Sequence, residues 1–439
     1  MKILPEYNSE TVYEKTTLPN GLRIITAAMP HTRSAAVQFY LGVGARHEDP
    51  RVSGISHFVE HMVFKGTERR PNPVQISEAI EGVGGNMNAA TDHEHTNYRS
   101  LVPYNYMDTA MEVITDMLRG SQFVPEEIAR EREVIIEEIN STFDSPPDIA
   151  DMVFDEMLWG DHPLGHDVAG SKASVKRIKR ADLVAHISEH YRPDAMVISV
   201  AGNVAHENVV EEATRLWGDL ARSSNGRHEE SPPPVDAAGA RVRSYKKRTE
   251  QTNIMVGVPA LPYTHSRRFT QDVLDTVLGC GMSSRLFVEV RENKGLAYSV
   301  SSFVKNYYDT GAFGVHAAVD NDRVAAALEA IMGELARIRE ENIPESELRK
   351  VKEYIKGNTV LSLERSGYVA HWGGWQELML GRIETLEESL AKIEAVTVDQ
   401  VRELAAELFV GDKMRLAIVG PTPKDVDKLE ALLAISSAH

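Results

Sequence analysis

The chain repeats itself, and that repeat limits the folds open to it more than any other feature. A helical pattern, DTAMEVITDML (108–118), leads within a few residues to FVPEEIAREREVIIEEI (123–139). In the second half VAAALEAIMGEL (324–335) leads in the same way to NIPESELRKVKEYIKGN (342–358), with Pro125 and Pro344 both at a helix start and followed by acids. The ends of the halves match as well. ADLVAHISEHYRPDAMVISVAGNV (181–204) lies over VDQVRELAAELFVGDKMRLAIVGP (398–421), each a helix, a short polar turn and a strand closed by glycine. Between the halves, RSSNGRHEESPPPVDAAGA (222–240) is rich in Ser, Pro, Gly and charge and could bury no apolar face, so it reads as a linker. The expected fold is therefore α+β. Two similar domains, 1–221 and 241–439, would each be a mixed β-sheet packed with helices.

Composition narrows the function classes. The net charge of −17 argues against nucleic acid as a main partner, because a phosphate backbone needs a concentrated basic surface. No stretch approaches the roughly 18 apolar residues of a membrane span, and the N-terminus lacks the apolar run of a cleaved signal, which points to a cytoplasmic protein. The single cysteine, Cys280, excludes a cysteine zinc cluster, so any metal site must use histidines and carboxylates.

The pattern His-x-x-Glu-His occurs twice, as HFVEH (57–61) and HISEH (186–190). On a helix it sets two imidazoles one turn apart, where they could share a metal ion. In the repeat alignment His186 and His190 fall on Glu403 and Glu407, while Val184 and Ile187 fall on Val401 and Leu404. This predicts a solvated polar face for the second copy. The first copy has better company. Glu131 and Glu138, seven residues apart, share a face of the 126–139 helix, so Glu138 could complete the three protein ligands of a catalytic zinc, with Glu131 behind it. Read by spacing alone, a five-residue match can also arise by chance, and acids on a helix commonly just face water. His93 and His95 in TDHEHTNY lack a third ligand nearby in sequence and read as structural or surface residues.

With these residues in place, the chain resembles the inverzincin metallopeptidases of the pitrilysin and insulin-degrading-enzyme type. It is most similar to the zinc-bearing β-subunit of the mitochondrial processing peptidase and its bacterial relatives. The resemblance implies that His57, His61 and Glu138 hold one Zn²⁺ per chain and that Glu60 is the general base. Glu138 stands 77 residues beyond His61, about the family's separation, and Glu131, also required there, precedes it by seven. It further implies that GVGGNMNAATDHEHTNY (82–98) contains an edge strand on which substrate lies as an added β-strand, with Asn88, Ala89 and Ala90 bonding the peptide backbone. RENKGLAY (291–298) resembles the family's Arg-Tyr pair, which gives Arg291 and Tyr298 contact with substrate and the scissile carbonyl. Asp151 and Asp155 align, with one residue inserted, with acids that bind an arginine near the cleavage site. The implied activity is zinc-dependent endopeptidase action on extended peptides or precursor segments in a closed chamber, near basic residues, by a homodimer. The alternative is a non-catalytic subunit like the core proteins of respiratory complexes, which share the fold.

Overall fold

The computed structural model describes residues 12–222, 233, 239–421 and 426–434, so most of the 222–240 linker lies outside the described residues. Strands β1 (Tyr13–Thr17), β2 (Arg23–Ala28), β3 (Ser34–Leu41), β4 (Asn86–Thr91), β5 (Thr96–Pro103) and β6 (Met196–Gly202) form one sheet in the order β1-β2-β6-β3-β5-β4. Strands β7 (Val242–Lys246), β8 (Gln251–Ala260), β9 (Ala297–Asn306), β10 (Gly311–Asp320) and β11 (Arg415–Gly420) form a second, ordered β7-β11-β8-β10-β9. The two orders are the same once β1 is set aside. In each sheet a parallel pair, β2 with β6 or β7 with β11, is followed by three antiparallel pairings. The α+β expectation and the repeat are thus both present, down to strand direction.

A strand such as β6, MVISVAG, is buried along its whole length. Such a strand needs cover on both faces of its sheet. One cover comes from the helices that follow in sequence, among them Met107–Gly120 against β3 and β5. The other cover is exchanged between the halves. Helix α5 (Ser366–Leu380), from the second half of the sequence, lies on β2, β6 and β3 of the first sheet. There Ser199 Oγ donates to the Ala370 carbonyl at 2.7 Å and the Tyr13 hydroxyl to the Val369 carbonyl at 3.0 Å. Helix α3 (Pro146–Trp159), from the first half, lies on β8 and β11 of the second sheet, with Phe154 edge-on to Phe303 and a shared core of Met255, Ala417 and Val419. The compact units are therefore not contiguous. Among the described residues, one draws on 12–137, 167–222 and 359–389, the other on 138–166, 233, 239–358, 390–421 and 426–434. The exchanged helices hold the same ordinal place in the repeat, each following a long helix, α2 (Pro125–Asp144) or Glu345–Leu363. Among the described residues no helix is long and apolar enough to cross a membrane.

Glycine makes the close approach of α5 possible. A Cβ on Gly374 would sit 2.6 Å from Tyr40 Cε2 and 2.8 Å from the Ser199 Cβ, both on buried strands. Gly374→Val should therefore lower stability by about 1–3 kcal/mol through overpacking. Gly333, inside helix Val324–Glu340 with open space around it, makes the contrast, and Gly333→Ala should raise stability by about 0.5–1 kcal/mol. Urea unfolding of the two variants beside the parent checks both signs.

Candidate metal centre

Helix α1 (Ile55–Val63) carries the first motif. It starts from Gly54, whose φ of +91° and whose 2.3 Å approach of a would-be Cβ to the Ala169 carbonyl oxygen both require glycine. Its first turn is capped from outside by Glu48, whose carboxyl oxygens accept from the Gly54 amide at 2.6 Å and the Ser56 amide at 2.7 Å. Ile55, Phe58, Val59, Met62 and Val63 are buried, which leaves His57, Glu60 and His61 on the partly open side of the helix. The two imidazoles meet with their Nε2 atoms 3.2 Å apart. Burial, and then the neighbouring His61, pushes the His57 pKa down to about 4, so this ring is neutral near pH 7 and has a lone pair to offer.

Helix α2 fixes the other ring. Glu131, only 3% exposed, lies 3.1 Å from His61 Nδ1 and accepts from Lys65 Nζ at 2.6 Å. Burial alone would raise its pKa, but the hydrogen bonds from His61 and Lys65 outweigh that and hold it below the ordinary carboxylate range. With Nδ1–H donated to Glu131, the network assigns His61 the tautomer whose Nε2 lone pair points toward His57. The helix continues, and two turns along the same face it brings up Glu138. One ligand atom each from His57, His61 and Glu138 lie within 4.8 Å of one another, the one such grouping of three or more potential ligands among the described residues. Two imidazoles and a carboxylate, with the exposed Glu138 leaving one side open, fit a three-ligand catalytic zinc. Glu60 faces the same region, and its Oε2 accepts from Thr91 Oγ1 at 2.6 Å. Thr91 ends β4, the free edge of the first sheet, on which Asn88 and Ala90 are exposed and Ala89 is half-buried.

Comparison with known proteins decides the family. The description Insulinase (Peptidase family M16) matches residues 23–172, and Peptidase M16 inactive domain matches 177–355. An uncharacterized zinc protease of Streptomyces coelicolor is 37% identical over 412 residues, 93% of this chain and 89% of that one. The chain belongs to peptidase family M16. Another uncharacterized zinc protease, from Bacillus subtilis, is 35% identical over 409 residues, 93% of this M16 chain and 98% of its own. A protease from Helicobacter pylori has the same fold, with a TM-score of 0.89 at 22% identity over 94% of this chain and all (100%) of that one.

The M16 structure treats the remaining expected residues differently. Arg291, in the π-helical segment Phe287–Asn293, stands 5.8 Å from the ring of Tyr298, which is 72% exposed at the start of β9. The two do adjoin. Asp151 and Asp155, one turn apart on α3, both pair with Lys305, at 2.7 and 2.6 Å, and Asp155 is buried. Burial would lower the Lys305 pKa, yet the two carboxylates raise it overall, so these acids already have a cation of their own. His186 and His190, expected on a solvated face, are instead buried, at 6% and 8% exposure. Helix α4 (Arg180–His190) packs on α1, and His186 Nε2 lies 3.4 Å from Ser56 Oγ. The alignment with Glu403 and Glu407 misled because those two stay exposed beside helix Arg268–Gly279, Glu407 pairing with Arg267 at its start, whereas here α1 and Ser56 cover the histidines. His93 is buried and His95 half-buried beside Tyr40, a structural placement.

Sequence reading missed Glu48, Lys65 and Thr91. Only Lys65 had a signal, one turn beyond His61 on the same face. Glu48 generates a test. Burial outweighs the two backbone hydrogen bonds it accepts and pushes its pKa from 4.5 up to about 7. Between these values the folded protein holds a proton that the unfolded chain has lost, so this group makes stability fall as pH rises from about 5 to 7 and level off above. In metal-free protein, urea midpoints measured from pH 5 to 8 should fall less steeply for Glu48→Gln than for the parent.

Proposed function

We propose that this chain is a zinc-dependent endopeptidase in which His57, His61 and Glu138 hold the metal. The observation that carries this reading is the grouping of those three ligands with Glu131 behind His61 and Glu60 beside them. The names of the Streptomyces and Bacillus relatives, both zinc proteases, support it. When bound, zinc lowers the pKa of water and polarises a carbonyl oxygen. Every other part of the reaction falls to the chain. A peptide pairs along the free edge of β4, through the backbone of Asn88, Ala89 and Ala90, which holds its scissile bond beside α1. Glu60 takes a proton from the attacking water and returns it to the leaving amine nitrogen as the C–N bond breaks. Glu131 keeps the His61 ring in its ligating tautomer and orientation. The complete ligand set supports turnover over the alternative of a structural core-protein-like subunit.

Glu60→Gln keeps the side chain's shape and leaves all three ligands in place. It should retain zinc and still bind peptide, with turnover reduced at least ~100-fold, the usual worth of a general base. His57→Ala should lose zinc and activity together, whereas His186→Ala should keep zinc at some cost in stability. Metal analysis and a quenched-peptide assay on the three variants test this. Zinc loss from the His186 variant, or near-normal turnover in the Glu60 variant, would refute the assignments.

A homodimer extends the reading. Arg291 and Tyr298 then serve the zinc of the opposite subunit, with the Tyr298 hydroxyl donating to the oxyanion as it forms. Mixing inactive Glu60→Gln protein with inactive Tyr298→Phe protein should restore activity, because one mixed site combines an intact base with an intact tyrosine. Subunit exchange without recovered activity counts against this arrangement.

A further inference from the structure

Away from the metal ligands, the first unit contains a cavity of about 620 Å³ whose lining includes Ser34, Arg99, Arg365, Ser366, Gly367 and His371. It lies where α5 ends its cover of the sheet. The helix lies on β2, β6 and β3, and its first turn is tied down by Gln38 Nε2, which donates to the Gly367 carbonyl at 2.7 Å, and by a 2.9 Å contact between the Ser34 and Ser366 hydroxyls. The neighbouring face of β5 is left open, with Arg99 and Leu101 exposed.

Charge makes this cavity unusual. In a chain with 65 acidic and 48 basic residues, neither the Arg99 nor the Arg365 guanidinium makes an ion pair or hydrogen bond among the described residues. Arg365 only lies 6.0 Å from the ring of Tyr368. One carboxylate, Glu364, also lines the cavity and pairs with neither arginine. His371 adds no charge near neutral pH, because burial above all pushes its pKa down to about 4. Arg365 is the N-cap residue of α5 and the helix has no side-chain cap, so the positive end of the helix dipole faces the same space. A Cβ on Gly367 would meet nothing within 4 Å.

The register connects the cavity to the β4 edge. Arg99 on β5 is the cross-strand partner of Asn88 on β4 and of Gln38 on β3, so the three side chains share a face of the sheet. A peptide residue opposite Asn88 would present its side chain on that same face, two strand spacings or about 10 Å from the Arg99 backbone. An arginine and an acidic side chain reaching toward each other span that distance.

We propose that this cavity is a carboxylate subsite for the bound peptide, in which Arg99 and Arg365 together hold an acidic side chain or the peptide's terminal carboxylate. The proposal rests on the peptidase reading above and gives it a preference for acidic substrates. Lys305 already pairs with both of the aspartates that would have favoured basic ones and offsets half of their charge.

The test uses quenched peptides of one sequence with a single Glu walked through the positions around the cleaved bond. Each is set against its Gln counterpart, in C-terminal acid and amide forms, with zinc-loaded protein. At one position Glu should exceed Gln in kcat/KM by about tenfold, ~1.4 kcal/mol, mainly through KM. In the double variant Arg99→Gln/Arg365→Gln this ratio should fall to about one, and Arg99→Glu/Arg365→Glu should favour Lys at that position. If the terminal carboxylate is the ligand, the tenfold ratio appears instead between acid and amide, and the same variants abolish it. No preference in either arm, or a preference that survives in the double variant, overturns the subsite. Anisotropy of the same peptides on Glu60→Gln protein reads the preference without turnover. Binding preference without cleavage by the parent would therefore count against the peptidase reading and leave the subsite standing.

Discussion

The need to cover the second face of each sheet governs the rest of this structure. Strands as apolar as β6 and β8 cannot leave either face to water, and the helices that follow each strand locally cover one face only. Cover for the other comes from α5 on one sheet and α3 on the other, each from the opposite half of the chain. The geometry of the candidate metal site is downstream of that arrangement. Helix α2, which brings Glu131 and Glu138 to the motif, is the segment through which the chain leaves one unit and continues into α3. It is held where Glu131 meets His61 and Lys65.

Buried electrostatics then complete what packing begins. His57 is kept neutral by burial, and Glu131 is kept ionised although burial opposes it, because two donors converge on its carboxylate. The two effects point the same way. A ring with a free lone pair and a ring held in one tautomer are what a divalent cation held at this site would require. Glu60 accepts from Thr91, so the proposed base is tied to the strand on which substrate is proposed to lie.

Much of this was legible in the sequence because it is periodic. The repeat gave the two sheets, helical spacing gave His57 with His61 and Glu131 with Glu138, and the family resemblance gave the β4 edge. What was not legible arises from contacts between segments distant in the chain. Asp151 and Asp155, expected from the resemblance to meet an arginine of the substrate, pair instead within the chain with Lys305, some 150 residues away. His186 and His190 align with glutamates that stay exposed in the other domain although a helix packs on that segment in both, and here α1 covers the imidazoles. The exchange of α3 and α5 could not be read from the repeat, because exchanged and unexchanged helices carry the same local pattern.

The exchange also sets the order in which the protein can be made. Tyr13 and Lys15, in the first strand, depend on Val369 and Glu377, partners 356 and 362 residues further along. At roughly 5–20 residues per second, the first strand emerges from the ribosome on the order of 20–70 s before the helix that seals its sheet. Throughout that interval the face that includes Tyr40 and Ala36 has no native cover. A nascent chain of this kind therefore carries an uncovered apolar face for most of its synthesis, a hazard of aggregation that the finished protein does not show.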